Sequence, residues 1–203
     1  MLRLYGSARS RAVRVLWMLG ELNLKYEHKD WLPRSPETKT PEYLALNANA
    51  RVPTIDDDGF ILSESMAINA YLAKKHKSPL YPADPKNEAL VMQWSLWETD
   101  RLDRQIVNYC RHTADLPEAE RKPAVAEEAW KEVVPAFDAL EKALTKSEWL
   151  AGPQFSVADL NVAAALFRAL TLDLKKWPKL NAWLHKCWDR PAAKNAKAMR
   201  ETK

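Results

Sequence analysis

The stretch SPLYPADP, residues 78–85, places three prolines in eight positions and divides the chain into two textures. Each proline fixes its own φ and lacks an amide donor, so neither a helix nor a central strand runs through such a segment. It reads as a stiff connector, with a boundary near residue 80. Before it, element types alternate. LRLY is a strand candidate, and SRAVRVLWMLGEL places Val13, Leu16, Trp17 and Leu19 on one helical stripe. KYEHK reads as a second strand. WLPRSPETKTP is a proline-broken loop, with a short helix at EYLAL. TIDDDGFIL has the form of a hairpin turning through Asp58 and Gly59, and SMAINAYLAKKH is a helix with Ile68, Tyr71 and Leu72 inward. Strand-helix-strand followed by strand-strand-helix makes a small mixed sheet with helices packed on it.

Beyond the connector everything reads as helix. Leu90, Trp94 and Trp97 recur at i, i+4, i+7, as do Val133, Phe137, Leu140 and Leu144, where Pro135 predicts a kink or the start of a straight segment. In FSVADL, Ser156 suits an N-cap and Asp159 can reach back to its amide, with Phe155 and Leu160 as a hydrophobic staple. The following LNVAAALFRAL has almost no polar face and should run through the middle of its domain. The expected architecture is an α/β domain over 1–80 and an all-α domain over 81–203.

Composition excludes several classes. Apolar residues make up 47% and charged residues 29% of 203, the balance of a folded globular chain. No apolar run approaches the ~20 residues of a membrane helix, and MLRLYGSARS lacks the pattern of a secretory signal. Cys110 and Cys187 stand far apart, which gives no support to metal or dithiol chemistry and suits a reduced, cytoplasmic setting. The net charge of +4 gathers in the basic tail KNAKAMRETK, expected to fray at the surface; no nucleic-acid reading motif accompanies it. Nine tryptophans are many, and helix interfaces are their natural place.

The segment RVPTIDDDGFILSES, residues 51–65, carries the chemistry. Pro53 cannot donate a ladder hydrogen bond, so it belongs at the start of its strand. If the Val52–Pro53 bond is cis, the Val52 amide and carbonyl face outward, where an extended peptide can pair as an added strand. Taken with SRAVRVLW, KTPEYLALN and FSVADL, in this order and spacing, the chain resembles the cytosolic glutathione S-transferases over essentially its whole length, most closely the serine-type theta and phi classes. That resemblance implies a thioredoxin-like N-terminal domain that binds glutathione, an all-helical domain that binds the electrophile, and a homodimer. It implies a site in which Val52, beside cis-Pro53, pairs with the cysteinyl backbone of glutathione. Glu64 and Ser65 hold the γ-glutamyl group, and Lys39 and Arg51 meet the acidic ends. As isolated residues, Lys39 and Arg51 read better as solvated charges, and Ser65 reads also as a helix cap, which is compatible with binding. The family commonly writes Asn-Pro-x-Gly before Val-Pro; here Asn47-Ala48-Asn49-Ala50 stands in its place, which predicts a relaxed loop.

Thiol transfer requires a thiolate, and a free thiol of pKa near ~8.5 is little ionised at neutral pH. A hydroxyl at the start of the first helix favours the anion. Ser10 is the first candidate, with a plain N-cap as its structural alternative; Ser7 and Tyr5 follow. No cysteine lies nearby, which argues against members that use one for mixed disulfides. The electrophile is expected between the two halves, with Arg9, Trp97, Arg101, Arg104 and Tyr109 as walls. The resulting expectation is a glutathione S-transferase acting on hydrophobic electrophiles, with possible hydroperoxide reduction, and with no metal, nucleic acid or membrane involved. A non-catalytic protein-binding module and a glutathione-dependent isomerase are the alternatives. The Ser-Ser-Cys start of the first helix seen in such isomerases is absent.

Overall fold

The computed structural model describes residues Met1–Glu201, which form two compact units. The first holds Met1–Tyr81 together with the stretch from Asp189 onward, the second Pro82–Trp188.

In the first unit, β1 (Leu2–Tyr5) is followed by α1 (Ala12–Glu21), β2 (Glu27–Lys29), α2 (Pro41–Leu46), β3 (Thr54–Asp57), β4 (Phe60–Ser63) and α3 (Ser65–Lys75). The sheet order is β2-β1-β3-β4, with β1 and β2 parallel and the other pairs antiparallel. The hairpin between β3 and β4 turns through Asp58 at φ 52° and Gly59 at φ 93°. A two-residue type I′ turn requires this conformation at both positions, and Asp-Gly supplies it. Leu4 and Ile55 of the sheet are fully buried, as are Val15 and Leu19 of α1 and Ile68 and Leu72 of α3. Tyr5, Trp31 and Tyr43 form a separate ring cluster with centroids 5.2–5.6 Å apart. Thr40 caps α2 by accepting from the Tyr43 amide, and Pro41 occupies its first turn, where no amide is needed.

The second unit is helical: α4 (Pro85–Trp97), α5 (Asp103–Cys110), α6 (Pro123–Lys146), α7 (Val157–Ala165) and α8 (Pro178–Trp188). The connector's last proline becomes a helix start, since Asp84 accepts from the Asn87 amide at 3.0 Å and Pro85 takes the first position. A π-type turn, Glu98–Leu102, joins α4 to α5. Pro135 lies inside α6, which continues as helix on both sides of it. All of α7 is buried, as its composition predicts. The capping box is present, and Asp159 does more than cap. It accepts from the Ser156 amide and hydroxyl, the Leu150 amide and the Trp183 indole, all within 3.0 Å. Burial pushes its carboxyl above the usual range against the pull of those donors. Many tryptophans pack against other rings, among them Trp130, Trp149, Trp177 and Trp188.

The C-terminal stretch corrects two expectations. As far as Glu201 it is helical, and it groups with the first unit instead of the helical one. Helix α9 (Pro191–Glu201) packs along α1 in the first unit. Small residues make the approach possible: Ala193 and Ala196 are buried, and a Cβ on Gly20 would lie 3.0 Å from that of Ala192. Arg190 forks onto Glu21 with two contacts of 2.7 Å. Covered by α3 and α9, α1 is buried almost all round, beyond the single stripe read from its sequence. Thr202 and Lys203, the end of the basic tail, lie outside the described residues. No helix among those described is long and apolar enough to cross a membrane.

Candidate active site

Strand register places three chain ends in a row. Tyr5, the last residue of β1, pairs with Thr54, the first of β3, and Thr54 pairs with Ser63, the last of β4. One residue further out stand Gly6, Pro53 and Glu64. The Val52–Pro53 peptide is cis. Gly6 lies directly against it at φ 137°, and a Cβ there would sit 3.1 Å from that of Val52 and 3.0 Å from that of Ala12. A residue without a side chain is therefore needed for the β1–α1 loop to reach the Val52–Pro53 step. Neither the amide nor the carbonyl of Val52 is hydrogen-bonded among the described residues.

The loop leading to Val52 is tied down, contrary to the relaxed path expected from its sequence. The Tyr43 hydroxyl donates to the Arg51 carbonyl at 2.5 Å, and the Asn47 amide group donates to the same carbonyl at 3.0 Å. Both also meet the Thr54 hydroxyl, at 2.9 and 3.0 Å. Ala50 takes φ 52°, a conformation glycine adopts freely and alanine only at a cost. The polar knot compensates for the missing proline and glycine.

Ser7 and Ser10 share one turn. The Ser7 carbonyl accepts from both the Ser10 amide and the Ser10 hydroxyl, at 2.9 and 2.7 Å. The Ser10 oxygen in turn accepts from the Ala12 amide at 3.0 Å. Ser10 thus has its proton committed, in an arrangement resembling a cap, although the helix proper begins with Arg11 as its N-cap. The Ser7 hydroxyl accepts from the Arg9 amide at 3.3 Å and has no acceptor for its own proton among the described residues. Both side chains are buried. Tyr5 is placed differently: its ring belongs to the cluster with Trp31 and Tyr43, and its hydroxyl accepts from Arg3 at 3.5 Å.

The charged candidates are unpaired. Glu64 is exposed, and its carboxylate meets no partner among the described residues. Its backbone sits at φ 69°, ψ 111°, an unusual conformation for a residue with a side chain, immediately before α3. Ser65 is buried and accepts from Arg14 at 3.2 Å. Arg51 and Lys39 are exposed and likewise without side-chain partners. Lys39 ends a 3₁₀ turn before α2, and no described contact links it to the row of strand ends.

Of the expected electrophile residues, Arg9 is exposed in the first unit. In the second unit, Trp97 packs edge-on against Trp94, Arg101 pairs with Asp100, and Tyr109 stacks on Trp130 at 4.4 Å. Arg104 is exposed. No hydrogen bond, ion pair or ring contact joins these four among the described residues. The π-type turn carries Arg101 and resets the helix face between Trp97 and Arg104.

Sequence reading missed Gly6, Arg14 and Asn47. Arg14 offered the clearest signal, a lone cation within the apolar helix AVRVLW. In the structure it is buried and bridges α1 to the start of α3.

Two family descriptions match the chain: "Glutathione S-transferase, N-terminal domain" over residues 1–74 and "Glutathione S-transferase, C-terminal domain" over 123–186. Glutathione S-transferase F13 of Arabidopsis thaliana is 31% identical, over 94% of this chain and 92% of that protein. The chain belongs to the glutathione S-transferase family. Among solved structures, the theta class glutathione S-transferase of Xanthomonas axonopodis pv. citri, with glutathione bound, superposes with a TM-score of 0.89 at 28% identity, covering 96% of each chain. Glutathione transferase F7 of Populus trichocarpa gives 0.87 at 26% identity, over 99% of this chain and all of that one. The first match takes in every strand of the sheet and nearly all of α3, so this family's N-terminal domain contains the whole row of strand ends.

Proposed function

We propose that the chain is a glutathione S-transferase that transfers the glutathione thiolate to electrophilic small molecules. The observation carrying this reading is the unpaired Val52 backbone, with the Ser7–Ser10 turn packed on one side through Gly6 and the unpaired Glu64 carboxylate on the other. Adjacent strands lie ~4.8 Å apart, so the row from Gly6 to Glu64 spans roughly 10 Å. An extended tripeptide covers about the same distance. Glutathione laid along the row pairs its cysteinyl backbone with Val52. Its γ-glutamyl ammonium goes to Glu64, and the α-carboxylate beside it to the Ser65 hydroxyl and the start of α3. Arg51 and Lys39, exposed and without side-chain partners among the described residues, are assigned to the glycyl carboxylate.

The sulfur then faces the Ser7–Ser10 turn. Ser7 donates to the thiolate, because its proton is uncommitted and its oxygen is already oriented by the Arg9 amide. Ser10 holds the turn, and reaches sulfur itself only by releasing the Ser7 carbonyl. Either bond favours the anion over the thiol, and each unit of pKa lowering corresponds to ~1.4 kcal/mol. The thiolate attacks the electrophilic carbon and its electron pair forms the new C–S bond as the leaving group departs; with a hydroperoxide it attacks the terminal oxygen, the O–O bond breaks and the alkoxide leaves, and a second glutathione converts the resulting sulfenic acid to disulfide and water.

A homodimer is part of this reading. Met92 and Leu96, one turn apart on α4, are 55% and 64% exposed and offer an apolar face. Light scattering of the wild type should give twice the chain mass, and Leu96→Glu should shift it towards one. Glutathione-affinity retention, followed by turnover of an aromatic halide, tests the function. A protein that neither binds nor turns over would be a non-catalytic member of the fold.

A further inference from the structure

The C-terminal helix touches the serine turn directly. Arg200, in the last turn of α9, donates from its guanidinium to the Ala8 carbonyl at 2.8 Å. At the other end of the same helix Ala192 lies against Gly20 and Arg190 against Glu21. Helix α9 therefore runs antiparallel to α1, fastened by an ion pair at one end and by Arg200 at the other. Ala8 is itself buried, so this guanidinium reaches a backbone carbonyl that water scarcely approaches.

The peptide unit that Arg200 grips also serves the turn. Its carbonyl is that of Ala8, and its N–H is that of Arg9, which donates to the Ser7 hydroxyl oxygen. A cation on the carbonyl oxygen polarises the amide and strengthens what its N–H can give, as successive hydrogen bonds along a chain do. It also fixes the plane of the peptide, and with it the direction of the Ser7 hydroxyl. The link runs from Arg200 through the Ala8–Arg9 peptide to Ser7.

We propose that Arg200 is a positioning residue for thiol activation, holding the Ser7–Ser10 turn from the C-terminal helix. The proposal rests on the transferase reading above and extends it to a residue far from the site in sequence. Arg200→Ala should raise the apparent pKa of bound glutathione by about half a unit, which is about a threefold loss of thiolate below that pKa. Glutathione affinity should stay within about twofold, since Glu64, Ser65 and Val52 are untouched. Arg200→Lys should recover part of the shift, because an ammonium can still meet the carbonyl, though without the planar fork.

Two measurements on the full-length protein decide the matter. Hydrogen exchange without glutathione should show faster exchange of the Arg9 and Ser10 amides in Arg200→Ala, with the α1 interior unchanged. Ultraviolet titration of the bound thiolate should then show the raised pKa. Unaltered exchange would overturn the clamp. Faster exchange with an unmoved pKa would overturn the positioning role. Arg190→Gln, which loosens α9 at its far end without touching Ala8, is the control; an equal pKa shift there would reduce Arg200 to general helix docking and overturn the proposal. A wild type that binds glutathione without any lowered thiol pKa fails at an earlier step, and overturns the transferase reading together with this one.

Discussion

Replacing Glu64 with glycine removes an unpaired carboxylate and relieves its backbone in the same change. At φ 69°, ψ 111°, a residue with a side chain is strained by about 1–3 kcal/mol. Glycine adopts this conformation freely but loses about 0.5–1 kcal/mol more chain entropy on folding. The Glu64 side chain caps nothing and pairs with nothing among the described residues, so no native contact offsets the balance. Glu64→Gly should therefore leave the unliganded protein level or stabilised by up to about 2 kcal/mol. Binding should move the other way. Losing a hydrogen bond to a charged ammonium is worth about 1.5–3 kcal/mol, roughly a 10- to 150-fold weaker glutathione Kd. Glu64→Gln keeps the strain and removes only the charge, so its stability should match the wild type while affinity falls. Denaturant titration gives the first quantity and calorimetry the second. A glycine variant that is destabilised yet binds with full affinity would refute the reasoning, since Glu64 would then be a structural residue and no part of the clamp.

Gly6→Ala should destabilise the first unit by about 2–4 kcal/mol, through a forbidden φ and a Cβ pressed on Val52 and Ala12; a denaturation midpoint near that of the wild type would disprove the close packing of the loop. The Asp57 carboxyl is buried, which alone would raise its pKa, but the Lys75 ammonium and the Tyr71 hydroxyl overcome this and hold it below the ordinary value. A depressed folded pKa means that its contribution is complete above the unfolded value near ~4 and fades as pH falls through the folded one. Asp57→Asn should therefore cost stability at neutral pH and progressively less below about pH 4; a gap that stays constant from pH 7 to pH 3 would contradict the pairing.

Local signals made much of the fold legible. The hairpin was readable because Asp58-Gly59 can hold two successive positive φ values, and the α7 start because Ser156 and Asp159 sit three residues apart. Periodicity could not reveal α9. Its sequence, PAAKNAKAMRE, is polar and reads as a solvated tail, and what docks it is tertiary: Gly20 yielding to Ala192, and Glu21 waiting for Arg190. The serine turn was only partly legible. Sequence put Ser10 ahead of Ser7 because it stands nearer the helix start, whereas which proton is committed depends on the direction of the Ser7 carbonyl, which takes that of Ser10. The loop before Val52 misled for a similar reason. Ala50 looked like a loss of constraint, whereas the constraint had moved to Asn47, Tyr43 and Thr54, whose partners are set by tertiary contact.

The most direct test of the account is the ultraviolet titration of glutathione bound to the wild type, to Ser7→Ala and to Ser10→Ala. The wild-type thiol pKa should lie well below the ~8.5 of a free thiol, rise towards that value in Ser7→Ala, and rise less in Ser10→Ala, whose loss loosens the turn without removing the donor. A dominant shift in Ser10→Ala would transfer the donor role to that serine. A wild-type thiol that titrates like free glutathione would contradict the central claim, that this turn exists to hold a thiolate.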